Sequence, residues 1–504
     1  MIIRKGGNHA TQLINQKTFK IFNFSRNSNE TLDKQLKMKT INKIILIVLF
    51  AVIIRFLFFT GVGLSDDLLY SYYSNQISKG NFHFPTDHHG TRIGIVYPVG
   101  FLYSLFGVND FASALLPFIF SIGNVILIYF FGKLLFNKRI GLIASFLMAI
   151  FPLDVIFATK PMPDVPSAFF LGLGMYLFFS AERENKNFKY LGCGLSLGIS
   201  FLLRENAILI ALFFMAYALY HRKFKWNYFL IGAGFAFWLL FEMLVFYAST
   251  GNPLYRYQAV NQHYLDIWNS ENYYGRGSFP SLLFHYPFMI FTNPQLGAFF
   301  PFIFIALWFC IAYRKKETYP LIMWLVLVLA YISFGSASLS AYLPLPAVPR
   351  YIMMIEFPSM LLLSYFLSQK NKLMNLLMPS VMGILLITSI MFSYIVVKAD
   401  NQENNYYDSL YQSVKDYPNI LTDPRTRMKL EYVSGYKTEI NQFDYCEENC
   451  NSYRIEDKHV LVNYRMLDRL TFIHPTLKFP DFVKNPPDWR IIKQNEDFVL
   501  YYAR

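Results

Sequence analysis

An acidic pair, Asp66–Asp67, directly follows the first long apolar run of the chain and opens the amphipathic stretch LLYSYYSNQISKGN, which would lie along a membrane surface. A carboxylate there could serve as a general base or a metal ligand. The plainer use is capping, with Ser65 or Asp66 at the N-cap of that surface helix. Asp87, Asp110, Asp154, Asp164, Glu205, Asp266 and Glu271 also fall at turns or ends of apolar runs. For Asp87, Asp110, Asp266 and Glu271 a solvated loop side chain is the better account of any one taken alone. Arg204 and Arg350 each stand at the end of an apolar span, where arginine ordinarily snorkels to headgroups. The same position suits them to clamp a phosphate, which a guanidinium grips with two parallel hydrogen bonds. His88 and His89 beside Asp87 could hold a divalent metal, although neighbouring loop histidines are more often solvated. Carboxylates and arginines together at headgroup depth are what a transferase consuming a lipid phosphate would need.

The elements that must position these groups are membrane spans. Of 504 residues, 54% are apolar and 16% charged, against roughly 25% charged in a soluble domain, which excludes a soluble multidomain enzyme. The net charge of +13 is unevenly spread: the last 106 residues hold 17 acids against 14 bases, and the first 398 hold 16 against 32. The excess bases fall in short loops between apolar runs, the positive-inside pattern of a polytopic membrane protein rather than a nucleic-acid groove. Runs near 41–60, 111–131, 140–157, 164–180, 190–220 (two short helices about Arg204–Glu205–Asn206), 226–248, 294–313, 319–336, 350–368 and 373–397 give about eleven spans. They place the N-terminus in the cytosol and the C-terminus outside. Ile95–Phe106, broken by Pro98 and Gly100, suits a re-entrant or interfacial segment.

The expected organisation is a cytosolic disordered extension at 1–40, a membrane domain at 41–398 with external loops 61–110 and 249–290, and a soluble external domain at 399–504. Short β-like runs at Asn419–Thr422, His459–Asn463, Arg490–Ile492 and Phe498–Tyr502 make that last domain a small α/β unit. Four cysteines make neither a disulfide framework nor a zinc spacing. Cys446 and Cys450 in the polar tail are equally a local disulfide or two free thiols.

Several segments in order, SDDLLYSYYSNQISKGN, YPVGFLYSLFG, FNKRIGLIASFLMAIFPLDVIFATKPMPDVPSAFF, LLREN and VPRYIMMIEFPSMLLL, resemble the protein O-mannosyltransferases and lipid A aminoarabinose transferases. These are polytopic, all-α membrane glycosyltransferases of the GT-C fold, among them the dolichyl-phosphate-mannose-protein mannosyltransferases. The resemblance implies transfer of a sugar from a polyprenyl-phosphate donor to a protein or glycolipid acceptor at the outer face of the cell membrane. It makes Asp66 the first-loop catalytic Asp and Asp164 the second loop acid. Asp67 stands where the family usually has Glu, which leaves the choice between the pair open. Arg204 and Arg350 would hold the lipid phosphate, and Arg92 stands near a basic position of the family ahead of its proline motif. Some relatives use a divalent metal, for which Asp87, His88 and His89 are the candidates here.

Charge dictates the chemistry that follows. Arginines would stabilise the departing phosphate and a carboxylate would deprotonate the acceptor, inverting the anomeric centre. The sequence has no phosphate-cradling glycine loop, in keeping with a lipid-linked rather than nucleotide-linked donor. The alternative from another class is a transporter or flippase of lipid-linked glycans, which should carry ionisable residues at mid-bilayer. Only Arg55, Glu242 and Glu356 fall inside apolar runs, so the enzyme is preferred. An oligosaccharyltransferase of the same fold would be expected to show a Trp-Trp-Asp-Tyr-Gly segment, and the chain has none.

Overall fold

The computed structural model describes residues 38–503 apart from positions 39, 343 and 456 and segments 223–224, 270–280, 337–341, 370–371, 444–454, 474–478 and 485–486. Cys446, Cys450, Glu271 and all but the last few positions of the N-terminal extension lie outside the described residues.

Among the described residues the membrane part is helical apart from one isolated bridge between Ser336 and Pro344. In chain order it comprises α1 (Thr40–Leu57), α2 (Asp66–Ser78), α3 (Ile93–Phe106), α4 (Asp110–Leu135), α5 (Lys138–Ile150), α6 (Pro152–Phe157), α7 (Asp164–Glu184), α8 (Asn187–Leu203) and α9 (Ile210–His221). Then follow α10 (Tyr228–Thr250), α11 (Tyr255–Asn269), α12 (Ser281–Thr292), α13 (Phe299–Ala312), α14 (Tyr319–Phe334), α15 (Glu356–Leu367) and α16 (Lys372–Val414). Among the described residues, seven helical segments are long and apolar enough to cross a bilayer, and three more are apolar but shorter. The stretch expected as one span at 140–157 is two helices, because Pro152 at the first position of α6 cannot continue α5. That break puts Asp154 into the first turn of a new helix. The run 190–220 divides as expected: Arg204 adopts an extended backbone (φ −150°), ends α8, and leads into a 3₁₀ turn at Glu205–Leu209. A second 3₁₀ turn, Pro349–Ile355, carries Arg350 into α15.

Close crossings rest on missing side chains. A Cβ on Gly194 of α8 would lie 2.1 Å from the Ile231 carbonyl of α10, and one on Gly234 would lie 2.6 Å from the Leu191 carbonyl. Small residues thus let these two backbones touch, a common membrane packing device.

α16 differs most from expectation. Its 43 residues make about 65 Å of helix, twice the roughly 30 Å hydrocarbon core. It therefore runs through Lys398, where the sequence reading put the domain boundary, and emerges as the stem of the C-terminal unit. That unit has α17 (Pro424–Val433), α18 (Tyr464–Ile473), α19 (Asp481–Lys484) and strands β1 (Ile420–Thr422), β2 (Asn441–Gln442), β3 (Lys458–Asn463), β4 (Arg490–Gln494) and β5 (Phe498–Ala503). The sheet order is β2-β1-β3-β5-β4, parallel between β1 and both its neighbours and antiparallel elsewhere. Four of the five strands fall where the short β-like runs place them.

The C-terminal unit shares a core with the segment around α2: Val62, Leu64 and Leu68 pack with Tyr407, Leu410, Leu430 and Tyr436. Polar contacts cross the same boundary. Tyr432 donates to Asp110 (2.6 Å), Asn404 to the Thr60 carbonyl (2.9 Å), and Lys79 to the Tyr436 carbonyl (3.0 Å). The turn that delivers Asp66 is thereby held from behind.

Candidate active site

The turn before α2 separates the two acidic neighbours. Asp67 is buried, and its carboxylate accepts from the Gly63 amide (2.6 Å) and the Ser65 amide (3.0 Å), closing the turn. Ser65 occupies the N-cap but makes no side-chain capping bond. Asp66 points the other way. Its Oδ2 lies 2.7 Å from an Arg350 guanidinium nitrogen and 3.2 Å from His89 Nε2.

His89 in turn places Nδ1 2.7 Å from Asp87 Oδ1, and Tyr73 donates to the other Asp87 oxygen (3.2 Å). The His88 ring lies 3.8 Å from the rings of both His89 and His263. Burial disfavours the Asp66 anion, but Arg350, His89 and His88 outweigh it and hold the carboxyl well below the ordinary carboxylate range. Burial also disfavours a His89 cation, yet Asp66 and Asp87 raise that imidazole above its usual value. Burial and the neighbouring His89 hold His88 well below 6.5, and the same causes bring His263 down to about 4. The charge around the cluster thus favours the proton on His89 and disfavours it on His88 and His263. Asp87, His88 and His89 offer ligand atoms within 4.8 Å of one another, and His88 Nδ1 lies 3.3 Å from Asp87 Oδ1. This donor set fits a divalent cation, with His263 as an added neighbour.

The other expected residues converge on the adjoining wall. Asp164, in the first turn of α7, lies 2.5 Å from Arg204, whose guanidinium stacks 4.9 Å over the Tyr351 ring. Arg204, Asn206, Asp164, Arg350 and Tyr351 line one narrow crevice of about 10 Å³. Arg350 Nε and Asn206 Nδ2 are buried donors with no acceptor among the described residues. Of the expected phosphate ligands, Arg204 and Arg350 therefore line the same crevice.

Arg92 is engaged elsewhere: it forms a two-pronged pair with Glu205 (2.7 and 3.2 Å) and donates to the Tyr70 hydroxyl, which burial pushes up to about 12. Arg256 shares the Glu205 Oε2 that Arg92 Nε binds (3.0 Å) and also pairs with Glu242. Arg256 and His263 both belong to α11, seven residues apart and hence on one helix face. That spacing was the available signal for their roles. What it could not show was that α11 folds back over the first external loop. Each ionisable residue inside an apolar run has a partner: Arg55 meets Asp154, Glu242 meets Arg256, and Glu356 accepts from Asn124 (3.2 Å).

Residues 93–246 match the family described as dolichyl-phosphate-mannose-protein mannosyltransferase. That stretch contains Asp164, Arg204, Glu205 and Glu242, while Asp66 and Arg350 lie outside it. YkcB of Bacillus subtilis (strain 168), by its name a candidate mannosyltransferase, is 33% identical over 97 residues, 19% of this chain and 14% of that protein's length. ArnT from Cupriavidus metallidurans, solved bound to undecaprenyl phosphate, superposes with a TM-score of 0.60 at 13% identity over 91% of this chain and 97% of ArnT. The Archaeoglobus fulgidus oligosaccharyltransferase in its apo form gives a TM-score of 0.53 at 14% identity, covering 85% of this chain and 70% of that one. At such identities the likeness is one of fold. The chain accordingly has a fold like those of ArnT and the oligosaccharyltransferase, and its residues 93–246 match the family model described as dolichyl-phosphate-mannose-protein mannosyltransferase.

Proposed function

We propose that this protein is a membrane glycosyltransferase that moves a sugar from a polyprenyl-phosphate donor to a hydroxyl or amine of a protein or glycolipid acceptor. The observation that carries this reading is the Asp66 carboxylate bound to Arg350 and His89 beside a crevice whose other wall bears Arg204 and Asp164. The undecaprenyl phosphate on ArnT, a protein of comparable fold, supports a lipid phosphate as leaving group.

Arg350 and Arg204 meet the charge that develops on the departing phosphate, and the unpaired Arg350 Nε and Asn206 Nδ2 supply further donors. A phosphate that takes Arg350 competes with Asp66 for the same cation. As it succeeds, Asp66 loses the charge that holds it ionised and its proton affinity rises. The base is strengthened by the arrival of the donor. Asp66 then removes the acceptor proton while the acceptor attacks C1 and the C1–O bond to phosphate breaks. The anomeric centre inverts, and such base catalysis typically contributes about 10²–10⁴-fold. Asp164 holds Arg204 in place. Asp67 supports the turn from behind. A divalent cation held by Asp87, His88 and His89 would supply a Lewis acid for a phosphate oxygen.

On this reading the site faces the outer side of the cell membrane, with the N-terminus cytosolic. Residues 41–398 form the catalytic unit and 399–504 the external one.

The test is to incubate protein purified into nanodiscs with radiolabelled polyprenyl-phosphate mannose and native membrane extract. Sugar is expected to leave the lipid and appear on an acceptor with inverted configuration. If every polyprenyl-phosphate sugar tried stays intact while vesicles containing the protein move it across the bilayer, the transferase reading falls.

A further inference from the structure

α1 is attached to the membrane domain unevenly. At its Arg55 end it is pinned to α4: Arg55 bonds Ser121, and the Phe56 and Phe118 rings lie 5.2 Å apart. Towards Thr40 the two antiparallel helices diverge and leave an open groove of about 640 Å³. One wall is Ile41, Ile44, Ile45, Val48 and Leu49, spaced i, i+3, i+4, i+7 and i+8 along a single face of α1. The facing wall is Ile126, Tyr129, Phe130 and Lys133 of α4, spaced i, i+3, i+4 and i+7, with Lys138 of α5 beside its end. Ile41, Ile45 and Leu49 remain 49–56% exposed, so no protein segment covers them among the described residues.

Charge and depth decide what fits. The apolar wall runs from Thr40 to Leu49, roughly 14 Å of helix, close to half of a hydrocarbon core of about 30 Å. That is the depth of one leaflet. Lys133 and Lys138 close the end, both exposed, and neither pairs with a carboxylate among the described residues. Helix electrostatics explain only one of them. A cation in the last turn of α4 is favoured, but Lys138 opens α5, where the helix dipole repels it. An anion beside Lys138 would offset that repulsion, and the groove next to it is lined chiefly by apolar side chains.

We propose that this groove is a binding site for one anionic phospholipid of the leaflet on the basic-loop side, its acyl chains between α1 and α4 and its phosphate between Lys133 and Lys138. The site lies at the opposite end of α1 from Asp66, so it is separate from the donor site and does not depend on the transferase reading. Basic pockets between helices are the recognised form of such lipid sites.

The test uses the full-length protein in detergent micelles containing equal amounts of phosphatidylglycerol and phosphatidylcholine, with retained lipid counted by native mass spectrometry. Wild type is expected to keep one phosphatidylglycerol in preference to phosphatidylcholine. The Lys133→Gln, Lys138→Gln pair should lose that preference by roughly thirty-fold, about fivefold for each lysine. Ile45→Trp, which fills the groove and spares both lysines, should lose the bound lipid as well. Thermal unfolding of each variant checks that the fold is retained. Equal retention of both lipids by wild type, or an unchanged preference in both folded variants, would overturn the site. Displacement of phosphatidylglycerol by undecaprenyl phosphate in wild type, with the lysine variant losing both, would overturn it too by making the groove a donor-lipid site.

Discussion

Among the described residues, one carboxylate–arginine pair is anchored on α1 and another at the start of α2, and they are built to opposite ends. In the first, Arg55 and Asp154 are wholly buried and every group is used. Arg55 donates to Ser121, to the Ala51 and Ala149 carbonyls (3.1 and 3.0 Å) and to Asp154 (2.6 Å). Asp154 also accepts from Ser121 and from Asn124 (3.0 Å). In the second, Asp66 and Arg350 retain 21% and 17% side-chain exposure, and Arg350 Nε has no acceptor. Both pairs are equally short, so distance does not distinguish them. Saturation does. A pair whose hydrogen bonds are all spent locks helices together, whereas a pair with donors to spare beside a crevice can exchange partners with a substrate.

Breaking the saturated pair should give the largest effect on folding. Arg55→Ala leaves Asp154 as an uncompensated buried charge, which costs about 3–5 kcal/mol. Unfolding in detergent should show a large loss of thermal stability, with sugar transfer per folded molecule changed little. Breaking the open pair should do the reverse. Arg350→Ala is expected to weaken donor binding by about 1.5–3 kcal/mol, the worth of hydrogen bonds to a charged group, with stability near wild type. Isothermal titration with a polyprenyl phosphate reads that loss. Arg350→Lys should recover only part of it, because an ammonium lacks the two-pronged geometry. The smallest effect sharpens the contrast within the acidic pair. Asp67→Ala removes two accepted backbone bonds and should cost about 1–2 kcal/mol of stability, with a turnover change well below that of any Asp66 substitution.

Much of this arrangement was legible before any coordinates. Asp66, Asp164, Arg204 and Arg350 are charged residues at the ends of apolar runs, where charge is costly enough to need a reason. Arg204–Glu205–Asn206 announced a break in a run too long for one span, and four of the strands announced themselves as short β-like runs. What stayed hidden were long-range pairings that leave no local periodicity. Nothing near Asp154 indicates that it meets Arg55 and, through Asn124, Glu356. The partner of Arg92, Glu205, is likewise remote in sequence. The continuation of α16 past Lys398 was hidden for a different reason: hydropathy falls there, but a helix needs no apolar surface to continue into water. The division of labour between Asp66 and Asp67 was equally beyond composition, since it depends on which carboxylate the turn at Gly63 consumes.

The central claim is that Asp66 acts on the acceptor proton while its neighbours only support it. The most direct measurement is the single-turnover rate of sugar transfer by Asp66→Asn at saturating donor and acceptor, beside wild type and Asp67→Asn. A rate about 10²–10⁴-fold below wild type, with donor binding retained and the Asp67 variant within a few-fold of wild type, is the expected result. A single-turnover rate for Asp66→Asn equal to wild type would contradict it and reduce the Asp66–Arg350 pair to a second structural lock.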